Sequence, residues 1–374
     1  MGDRVAVVGA GGFVGARALA LLARRSEREV VAVVRSYASI ARVANRVSEY
    51  RIADAEQPDA LRRAFAGCDA VVDLAKPTPD RIVPTTANLY GAARDAGARL
   101  FVHLSSGTVH MPIARADLPD DAPPRRDLWM PYAREKARAD EYLRERMASP
   151  EGCAIVVLRP TLIWGPGSPY VLDTATALAS GSAFVIGDGD GVCDLMYVDD
   201  LARCLDAVVA HAAPRSGFYN VGDEHAPTWA EYYAAIASGL GVDVRTIRSL
   251  ATTPYRPGLR DSVEAFRAGR AYRWLKTRVP LETREMLKRR MRRRRAMSIG
   301  PATPQLTREM WQLQTARYRL PTAQFTATFG SVSRTSFEDA LSASLAWLRF
   351  IGVGDTITSA APAEQSVSAI RSLA

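Results

Sequence analysis

The chain has 374 residues, of which 48% are hydrophobic and 24% charged, a composition typical of a soluble globular protein with a substantial core. It contains no apolar run near the ~18 residues that a membrane-spanning helix needs, and its cysteines and histidines are too scattered for a metal-binding motif. The net charge of +9 comes from residues 260–295, where 14 Lys and Arg occur with four Asp and Glu, which excludes a uniformly basic surface.

A glycine-rich stretch follows the first predicted strand. Residues 5–8 are apolar, too few for a helix, and end at glycine, which indicates a buried parallel strand. Gly9, Gly12 and Gly15 then lead into a helical pattern that runs to about residue 25. Gly9 permits a tight turn, Gly12 lets the backbone approach a pyrophosphate, and Gly15 lets the helix pack closely against the strand.

The helix that follows this turn begins near Phe13 and Val14. The N–H groups of its first turn have no partner within the helix, and its dipole is positive at this end. Both properties favour a phosphate group, so we expect the stretch to bind a dinucleotide.

A second strand, predicted at residues 29–34, ends at Arg35 and Ser36. In a dinucleotide-binding fold this end of the strand faces the adenosine ribose, where an acidic residue favours NAD and an arginine pairs with a 2′-phosphate. Arg35 and the Ser36 hydroxyl therefore favour NADP(H), with NAD(H) as the alternative cofactor. The other interpretation is an exposed arginine that merely follows a strand.

Strands and helices alternate along the rest of the first half of the chain. Further strands are predicted near residues 50–53, 69–75 and 99–104, and helices near 58–66, 84–96 and 131–147. This alternation predicts an α/β fold with a doubly wound parallel sheet, in which ligands lie at the carboxyl ends of the strands.

Three polar residues are placed to act at that edge. Ser106 comes directly after a strand, and Tyr132 and Lys136 lie four apart on one face of a predicted helix. The nearby ammonium is expected to lower the pKa of the tyrosine, which would exchange a proton with a carbinol while hydride moves to or from a nicotinamide. Ser106 would hold the substrate oxygen. The alternative is a solvated helix start that carries Tyr and Lys by coincidence.

These motifs resemble those of the extended short-chain dehydrogenase/reductases, also called the NAD-dependent epimerase/dehydratase family. The glycine pattern matches, although Val8 replaces the usual threonine, and Ser106, Tyr132 and Lys136 align with the catalytic set. The shorter segments that match are residues 88–91, 158–167, 196–202 and 218–222. The resemblance implies a Rossmann fold, a nicotinamide cofactor and a homodimer formed through the helices near 84–96 and 132–147.

The resemblance also implies further cofactor contacts. Asp54 would bind the adenine amino group, and Lys136 would bind hydroxyls of the nicotinamide ribose in addition to its role beside Tyr132. The other positions implied to line the cofactor are Ala53, Leu74, Ala75, Pro160 and Leu162.

Two features bear on the substrate. Cys193, next to Asp194, stands where family members acting on nucleotide-sugars carry an arginine that binds the diphosphate. A thiol cannot form a bidentate hydrogen-bonded pair with a phosphate. Arg35 resembles the dihydroflavonol-reductase and ketoreductase branch of the family. Both features favour a reductase of a ketone or aldehyde.

The basic segment, residues 260–296, is not explained by the resemblance. Residues 284–295 predict an arginine-rich helix with a narrow apolar stripe. Its hypothetical roles are a lid over an anionic substrate, peripheral contact of residues 284–296 with an anionic membrane, or binding of an acidic partner. The alternative is a solvated insertion without a partner. Nucleic acid is not expected, because the chain carries no recognition motif.

The predicted domain organisation has three parts. Residues 1–165 form the Rossmann domain, which also receives segments near 190–225. Residues 166–189 and 226–352 form a smaller, discontinuous substrate-binding part that includes the basic segment. Residues 353–374 are small and polar, and we expect them to be disordered.

The cellular setting is predicted from two patterns. The first strand begins at about residue 4, which leaves no room for a signal peptide. The four cysteines form no CxxC pair and are expected to be reduced and mostly buried. We therefore expect a cytoplasmic protein, and the alanine- and arginine-rich composition favours a bacterial source.

Three functions stay open on the sequence alone. The first is an NADP(H)-dependent oxidoreductase acting on a carbonyl or secondary alcohol of a small metabolite. The second is a nucleotide-sugar epimerase or dehydratase with tightly bound NAD. The third is a non-catalytic family member that binds an anionic partner through the basic segment.

Overall fold

The structure is a computed structural model that describes residues 3–41, 43–47, 49–113, 115–148, 152–258 and 304–353. The strands in these ranges are β1 (Arg4–Val8), β2 (Glu29–Val34), β3 (Glu49–Ile52), β4 (Ala70–Asp73), β5 (Leu100–Leu104), β6 (Ala154–Pro160), β7 (Leu162–Trp164), β8 (Phe184–Ile186), β9 (Leu195–Tyr197), β10 (Gly217–Val221) and β11 (Arg248–Leu250). The helices are α1 (Phe13–Leu22), α2 (Tyr37–Ile40), α3 (Pro58–Phe65), α4 (Ile82–Asp95), α5 (Pro131–Met147), α6 (Pro169–Ala179), α7 (Val198–Ala210), α8 (Trp229–Gly239), α9 (Arg308–Gln314), α10 (Ala323–Phe329) and α11 (Phe337–Phe350).

Seven strands form one parallel sheet in the order β10-β6-β5-β4-β1-β2-β3. The chain builds outward from β1 to β3, returns to β4 on the other side of β1, and continues to β10. The predicted doubly wound parallel sheet is therefore confirmed. Its crevice for ligands is expected where the strand order reverses, between β1 and β4.

The central strands are buried on both faces. Val5 and Val7 of β1 join one hydrophobic cluster, to which α1 and α7 contribute, while Ala6 and Val8 join a second one, to which α3, α4 and α5 contribute. Helices on both faces explain why these strands are nearly continuous apolar runs.

The predicted element ends differ from the observed ones by a few residues. Helix α1 ends at Leu22 rather than near residue 25, and α4 begins at Ile82 rather than at Pro84. Proline is tolerated in the first turn of a helix, where its missing N–H has no partner to lose, so Pro84 does not mark the start.

The chain divides into two compact units. The first comprises residues 1–171, 192–227 and 316–344, and the second comprises residues 172–191, 228–315 and 345–374. The basic segment 260–296, and the predicted tail apart from Val353, lie outside the described residues. The predictions made for them, including a membrane or acidic partner, therefore stay predictions, as does the proposed domain division.

The second unit has its own hydrogen-bonded frame. Strands β8 and β11 pair in parallel, and the buried Gln314 side chain at the end of α9 accepts from Ile186 N at 2.9 Å and donates to Phe184 O at 3.2 Å. The Trp229 indole at the start of α8 donates to Leu313 O at 3.0 Å. These bonds join α8 and α9 to the strand pair.

Two sequence expectations concern the chemical environment. The four cysteines are free thiols, and three of them are buried, namely Cys68, Cys193 and Cys204. No helix within the described ranges combines the length and the hydropathy needed to cross a membrane.

Candidate active site

The glycine turn after β1 has the geometry that its sequence predicts. Gly9 has φ +75°, and a Cβ there would lie 2.6 Å from the carbonyl oxygen of Leu74. A Cβ at Gly15 would lie 2.1 Å from Gly9 O, so α1 can approach the turn only because residue 15 is glycine. The Gly12 N–H donates to Gly9 O at 2.9 Å and closes the turn.

The first turn of α1 carries no side-chain cap. The N-cap residue is Gly12, which has no side chain. It therefore cannot cap the backbone N–H groups around Phe13 and Val14. A Cβ at Gly12 would meet only Gly9 O, at 3.2 Å. The turn thus fits an anionic group such as a pyrophosphate, as expected for a dinucleotide site.

Arg35 and Ser36 lie exposed at the carboxyl end of β2. Arg35 has no hydrogen bond or ion pair to the residues that the structure describes, and Ser36 Oγ lies 3.3 Å from Ser39 Oγ. Both side chains are therefore available at the position where the sequence predicts contact with a 2′-phosphate.

The segment after β3 is held by local hydrogen bonds. The Asp54 carboxylate accepts from Glu56 N at 3.0 Å, and the Asn88 amide of α4 donates to Ala55 O at 3.2 Å. Ala53 is buried beside them. Asp54 is thus ordered at the end of the strand neighbouring β2, and its expected contact with adenine stays a prediction.

Ser106 and Tyr132 are brought together by the fold. Ser106 follows β5 and caps a short 3-10 helix, Gly107–His110, and its Oγ accepts from Thr108 Oγ1 at 2.9 Å. Burial raises the pKa of Tyr132, and an interaction with the Ser106 side chain offsets part of the rise.

The predicted lowering of the tyrosine pKa by Lys136 is wrong for this structure. The Lys136 ammonium is hydrogen-bonded elsewhere, to Leu104 O at 2.6 Å, and lies 3.4 Å from His103 Nε2. Lys136 is 5% exposed. Burial lowers its pKa, while the carboxylates of Asp73 and Asp140 act in the opposite direction.

Asp73 and His103 are site residues that the sequence analysis missed. They are register partners at the ends of the adjacent strands β4 and β5, and His103 Nδ1 lies 2.7 Å from Asp73 Oδ2. The available signal was a polar residue among the last two positions of each of two apolar strands, at the edge where ligands are expected.

Arg159 is the centre of a second buried network. Its side chain has no exposed surface, and it donates from Nε to Asp140 Oδ2 and from Nη1 to Asp120 O, both at 2.8 Å. His110 Nε2 lies 2.9 Å from the same Nη1 and must accept from it. Because Asp140 lies on α5, this network fixes the helix that carries Tyr132.

Two groups in this network have displaced pKa values. Burial raises the pKa of Asp120 to about 6, although Asn220 donates to its carboxylate from the backbone N at 2.8 Å and from Nδ2 at 3.1 Å. Burial and the neighbouring Arg159 lower the pKa of His110 to about 4. His110 is thus an acceptor for the buried arginine.

The remaining predicted cofactor residues lie at the same edge of the sheet. Leu74 and Ala75 follow β4, Pro160 ends β6 and Leu162 begins β7. Ser105 Oγ and Thr161 Oγ1, at the ends of β5 and β6, are buried without a hydrogen-bond partner among the described residues. Buried hydroxyls without partners and the glycine turn fit a bound dinucleotide.

A cavity of about 460 Å³ lies in the same compact unit and is lined by Ala116, Glu224 and residues 317–322. Its wall is fixed by Arg319, which donates to the carbonyl oxygens of Asp223 and Glu224, and by Leu320, whose N–H donates to Asp194 at 2.9 Å. A Cβ at Gly107 would lie 3.0 Å from the Leu320 side chain. The cavity wall therefore contacts the residue that follows Ser106.

Cys193 is fully buried, and burial raises the pKa of its thiol well above the ordinary value. The thiol is neutral and enclosed, so it offers no charge to a diphosphate. In the part of the chain that the structure describes, no group of three or more His, Cys, Asp or Glu side chains could hold a metal ion.

Comparison with known proteins identifies related sequences. The model of the NAD dependent epimerase/dehydratase family matches residues 5–222. A 2-alkyl-3-oxoalkanoate reductase of Stenotrophomonas maltophilia (strain K279a) is 31% identical over 215 residues, which cover 53% of this chain and 63% of that protein, less than two thirds of its length. A 3-diazoavenalumate denitrifying reductase of a Streptomyces species is 33% identical over 252 residues, covering 62% and 80%.

An epimerase is similar to the chain at a comparable level. The N-acetyl-alpha-D-glucosaminyl-diphospho-ditrans,octacis-undecaprenol 4-epimerase of Escherichia coli O157:H7 is 28% identical over 240 residues, covering 60% of this chain and 68% of that protein. Among solved structures, DesIV, a dTDP-glucose 4,6-dehydratase from Streptomyces venezuelae with NAD and TYD bound, has a TM-score of 0.66 at 22% identity and covers 93% of this chain and 97% of its own. At that identity the likeness concerns the fold.

Proposed function

The chain belongs to the NAD-dependent epimerase/dehydratase family, and from this we propose that it is an NADP(H)-dependent oxidoreductase acting on a carbonyl or secondary alcohol of a small metabolite. The observation that carries the proposal is that the Ser106 side chain acts on the phenol of Tyr132, which lies one helical turn before the buried Lys136. The similarity to two reductases supports it.

The residues that would hold the cofactor follow from the geometry of the sheet edge. The turn from Gly9 to Gly15 and the start of α1 would bind the pyrophosphate. Arg35 and Ser36 would bind the 2′-phosphate of NADP(H), and Asp54 the adenine. When bound, a nicotinamide cofactor supplies or accepts the hydride.

The chain's own residues would handle the proton. Ser106 would hold the carbonyl oxygen by a hydrogen bond while Tyr132 donates its phenolic proton to that oxygen. The phenol is protonated at neutral pH, because burial raises a pKa that is already about 10, and reduction requires this protonated form. The remaining N–H of the Lys136 ammonium would bind a hydroxyl of the nicotinamide ribose.

We propose the cavity lined by residues 317–322 as the place for the part of the substrate that does not react. Its wall contacts Gly107, directly after Ser106, so a substrate held there could present its carbonyl to the serine. The expected substrate contacts of the second unit and the expected homodimer stay predictions.

A second candidate function is epimerisation or dehydration of a nucleotide-sugar with tightly bound NAD. The similarity to the Escherichia coli epimerase favours it, and the same Ser106, Tyr132 and Lys136 would serve. The buried, neutral Cys193 weighs against it, because that position offers no cation to a diphosphate.

The two functions differ in what happens to the cofactor. One sample of the purified protein is denatured, and the supernatant is assayed for NAD(H). NADPH and NADH are titrated into a second, native sample. 3-Oxoacids, ketones, aldehydes and nucleotide-sugars are then tested as substrates by the absorbance of the reduced nicotinamide. Net NADPH consumption with a carbonyl compound supports the reductase. Retained NAD with conversion of a nucleotide-sugar and no net nicotinamide turnover supports the second function and contradicts the first.

A further inference from the structure

Three buried polar side chains form a continuous chain beneath the proposed site. Asp73, His103 and Lys136 are 3%, 2% and 5% exposed. His103 Nδ1 lies 2.7 Å from Asp73 Oδ2, and His103 Nε2 lies 3.4 Å from Lys136 Nζ. The three residues come from β4, β5 and α5, so the chain depends on the tertiary fold.

The direction of each hydrogen bond in this chain follows from the donors available. An ammonium group can only donate, so His103 Nε2 must accept from Lys136 and carries no proton. The remaining ring proton is then on Nδ1 and is donated to the Asp73 carboxylate. The other oxygen of that carboxylate accepts from Ala75 N at 3.0 Å, which fixes its orientation.

We propose that Asp73 and His103 are positioning residues for Lys136: Asp73 orients the imidazole, and the imidazole holds the buried ammonium in place. This inference rests on the proposed function, since Lys136 matters to catalysis only through Tyr132 and the cofactor. An ammonium has three N–H donors. Leu104 O accepts from one at 2.6 Å and His103 from another, which leaves one donor for a phenolate or a ribose hydroxyl.

The electrostatics of the pocket agree with this role. Burial lowers the pKa of Lys136, so a neutral amine would be favoured if nothing opposed it. The charged groups that oppose it are Asp73, across the imidazole, and Asp140, one turn later on α5. A neutral His103 accepts from the ammonium, whereas a protonated imidazole would repel it.

The tautomer of His103 gives a test that does not depend on turnover. The protein contains four histidines, so ¹⁵N-histidine labelling yields few signals, and His103→Gln assigns the one that disappears. We expect Nδ1 protonated and Nε2 unprotonated at pH 7.5. A proton on Nε2, or a doubly protonated ring, would overturn the proposal.

The charge on Lys136 gives a second test. The chain has four lysines, so selective ¹⁵N labelling allows the Lys136 amine to be titrated directly. Asp73→Asn removes a carboxylate that raises the pKa of Lys136, so this pKa should fall measurably. Asp95→Asn, which removes an exposed carboxylate on α4, should leave it unchanged. An unchanged Lys136 pKa in Asp73→Asn would contradict the proposed role.

Activity then separates positioning from packing. His103→Gln can still accept from Lys136 and donate to Asp73, whereas His103→Leu can do neither. We expect kcat to fall about 10- to 100-fold in His103→Leu and within about threefold in His103→Gln. Equal losses in both variants, at equal thermal stability, would reject the positioning role. If no substrate is turned over by the wild type, the proposed function fails, while the two titrations still decide this proposal.

Discussion

Tyr132 and Lys136 lie on successive turns of α5, yet their side chains have different partners. The phenol interacts with the Ser106 side chain, whereas the ammonium donates to Leu104 O and lies 3.4 Å from His103 Nε2. Burial raises the pKa of Tyr132, which fits the proposed role of its phenol as the proton donor.

Tyr132→Phe removes that acid while keeping the ring in place. We expect kcat for carbonyl reduction to fall by about 10²- to 10⁴-fold, the range of general acid catalysis, with little change in melting temperature. Tyr142→Phe is the control on the same helix, because Tyr142 packs under Arg146 instead. Steady-state kinetics of both variants with NADPH check this, and an active Tyr132→Phe enzyme would contradict the proposed role.

Arg35→Ser removes the expected partner of the 2′-phosphate. A hydrogen bond to a charged group contributes about 1.5–3 kcal/mol, so the dissociation constant of NADPH should rise about 10- to 100-fold while that of NADH stays unchanged. Fluorescence titrations measure both, with Arg24→Ser, an exposed arginine after α1, as the control. A parallel change for NADPH and NADH would show that Arg35 does not read the 2′-phosphate.

Single residues could be predicted where the signal is local. Ser106 after a strand, and Tyr132 four residues before Lys136, are spacings visible in the sequence. The partner of Lys136 was not visible, because Asp73 and His103 meet only through the register of β4 with β5. That register is decided by burial on both faces of the sheet, which no single motif records.

At the scale of elements, the turn between β1 and α1 is a tightly packed connection. The backbone of Gly9 contacts the chain after β4, and α1 approaches Gly9 O at Gly15. The close packing at Gly15 could be predicted from the spacing of the glycines, whereas the contact of Gly9 with the chain after β4 could not. The exact ends of the helices were harder to predict, since terminal turns depend on weak local preferences.

Gly15→Ala should displace α1 from this turn. The added Cβ would lie 2.1 Å from Gly9 O, and overpacking of this kind costs about 1–3 kcal/mol in the free energy of unfolding. We expect a lower melting temperature and loss of nicotinamide cofactor binding. Gly91→Ala is the matched control: Gly91 lies inside α4 with nothing within 4 Å of its added Cβ.

That control should be neutral or stabilising by up to about 1 kcal/mol, because alanine has the higher helix propensity. Thermal denaturation and cofactor titration of the two variants check both statements. Unimpaired cofactor binding in Gly15→Ala would contradict the expected position of the pyrophosphate.

At the scale of the whole chain, distant segments are joined by a buried polar network. Asp120 and Asn220 are 100 residues apart. Arg159 on β6 donates to Asp120 O, and the Asn220 N–H donates to the Asp120 carboxylate. The resemblance included the segments that contain Arg159 and Asn220. It did not indicate the aspartates and the histidine that form hydrogen bonds with these two residues. Such pairings need the positions of two strands, a helix, a 3-10 helix and a loop at once, so sequence periodicity could not predict them.

His110 makes this network sensitive to pH. Its pKa is about 4 in the folded chain and near 6.5 when unfolded, so between these values the unfolded chain binds the proton. The stability contributed by neutral His110 is complete above pH 6.5 and is lost as the pH falls towards 4. The buried carboxyls of Asp120 and Asp223, each with a pKa raised to about 6, act with the opposite sign.

His110→Gln isolates the histidine contribution, because the two aspartates are present in both proteins. We expect the wild type to lose about 2 to 3 kcal/mol relative to the variant between pH 7.5 and pH 4.5. Urea denaturation at both pH values measures this difference. If the free energies of unfolding of the wild type and His110→Gln differ by the same amount at pH 7.5 and at pH 4.5, His110 is not buried and neutral as described.

The burial of Lys136 has a practical consequence for chemical labelling. The other lysines of the chain are Lys76, which is exposed, Lys276 and Lys288. An N-hydroxysuccinimide ester needs an accessible amine, so acylation should spare Lys136 as long as the pocket stays closed. The appearance of its acylated peptide in a mass spectrum would then time the opening of this region, and added nicotinamide cofactor should delay it.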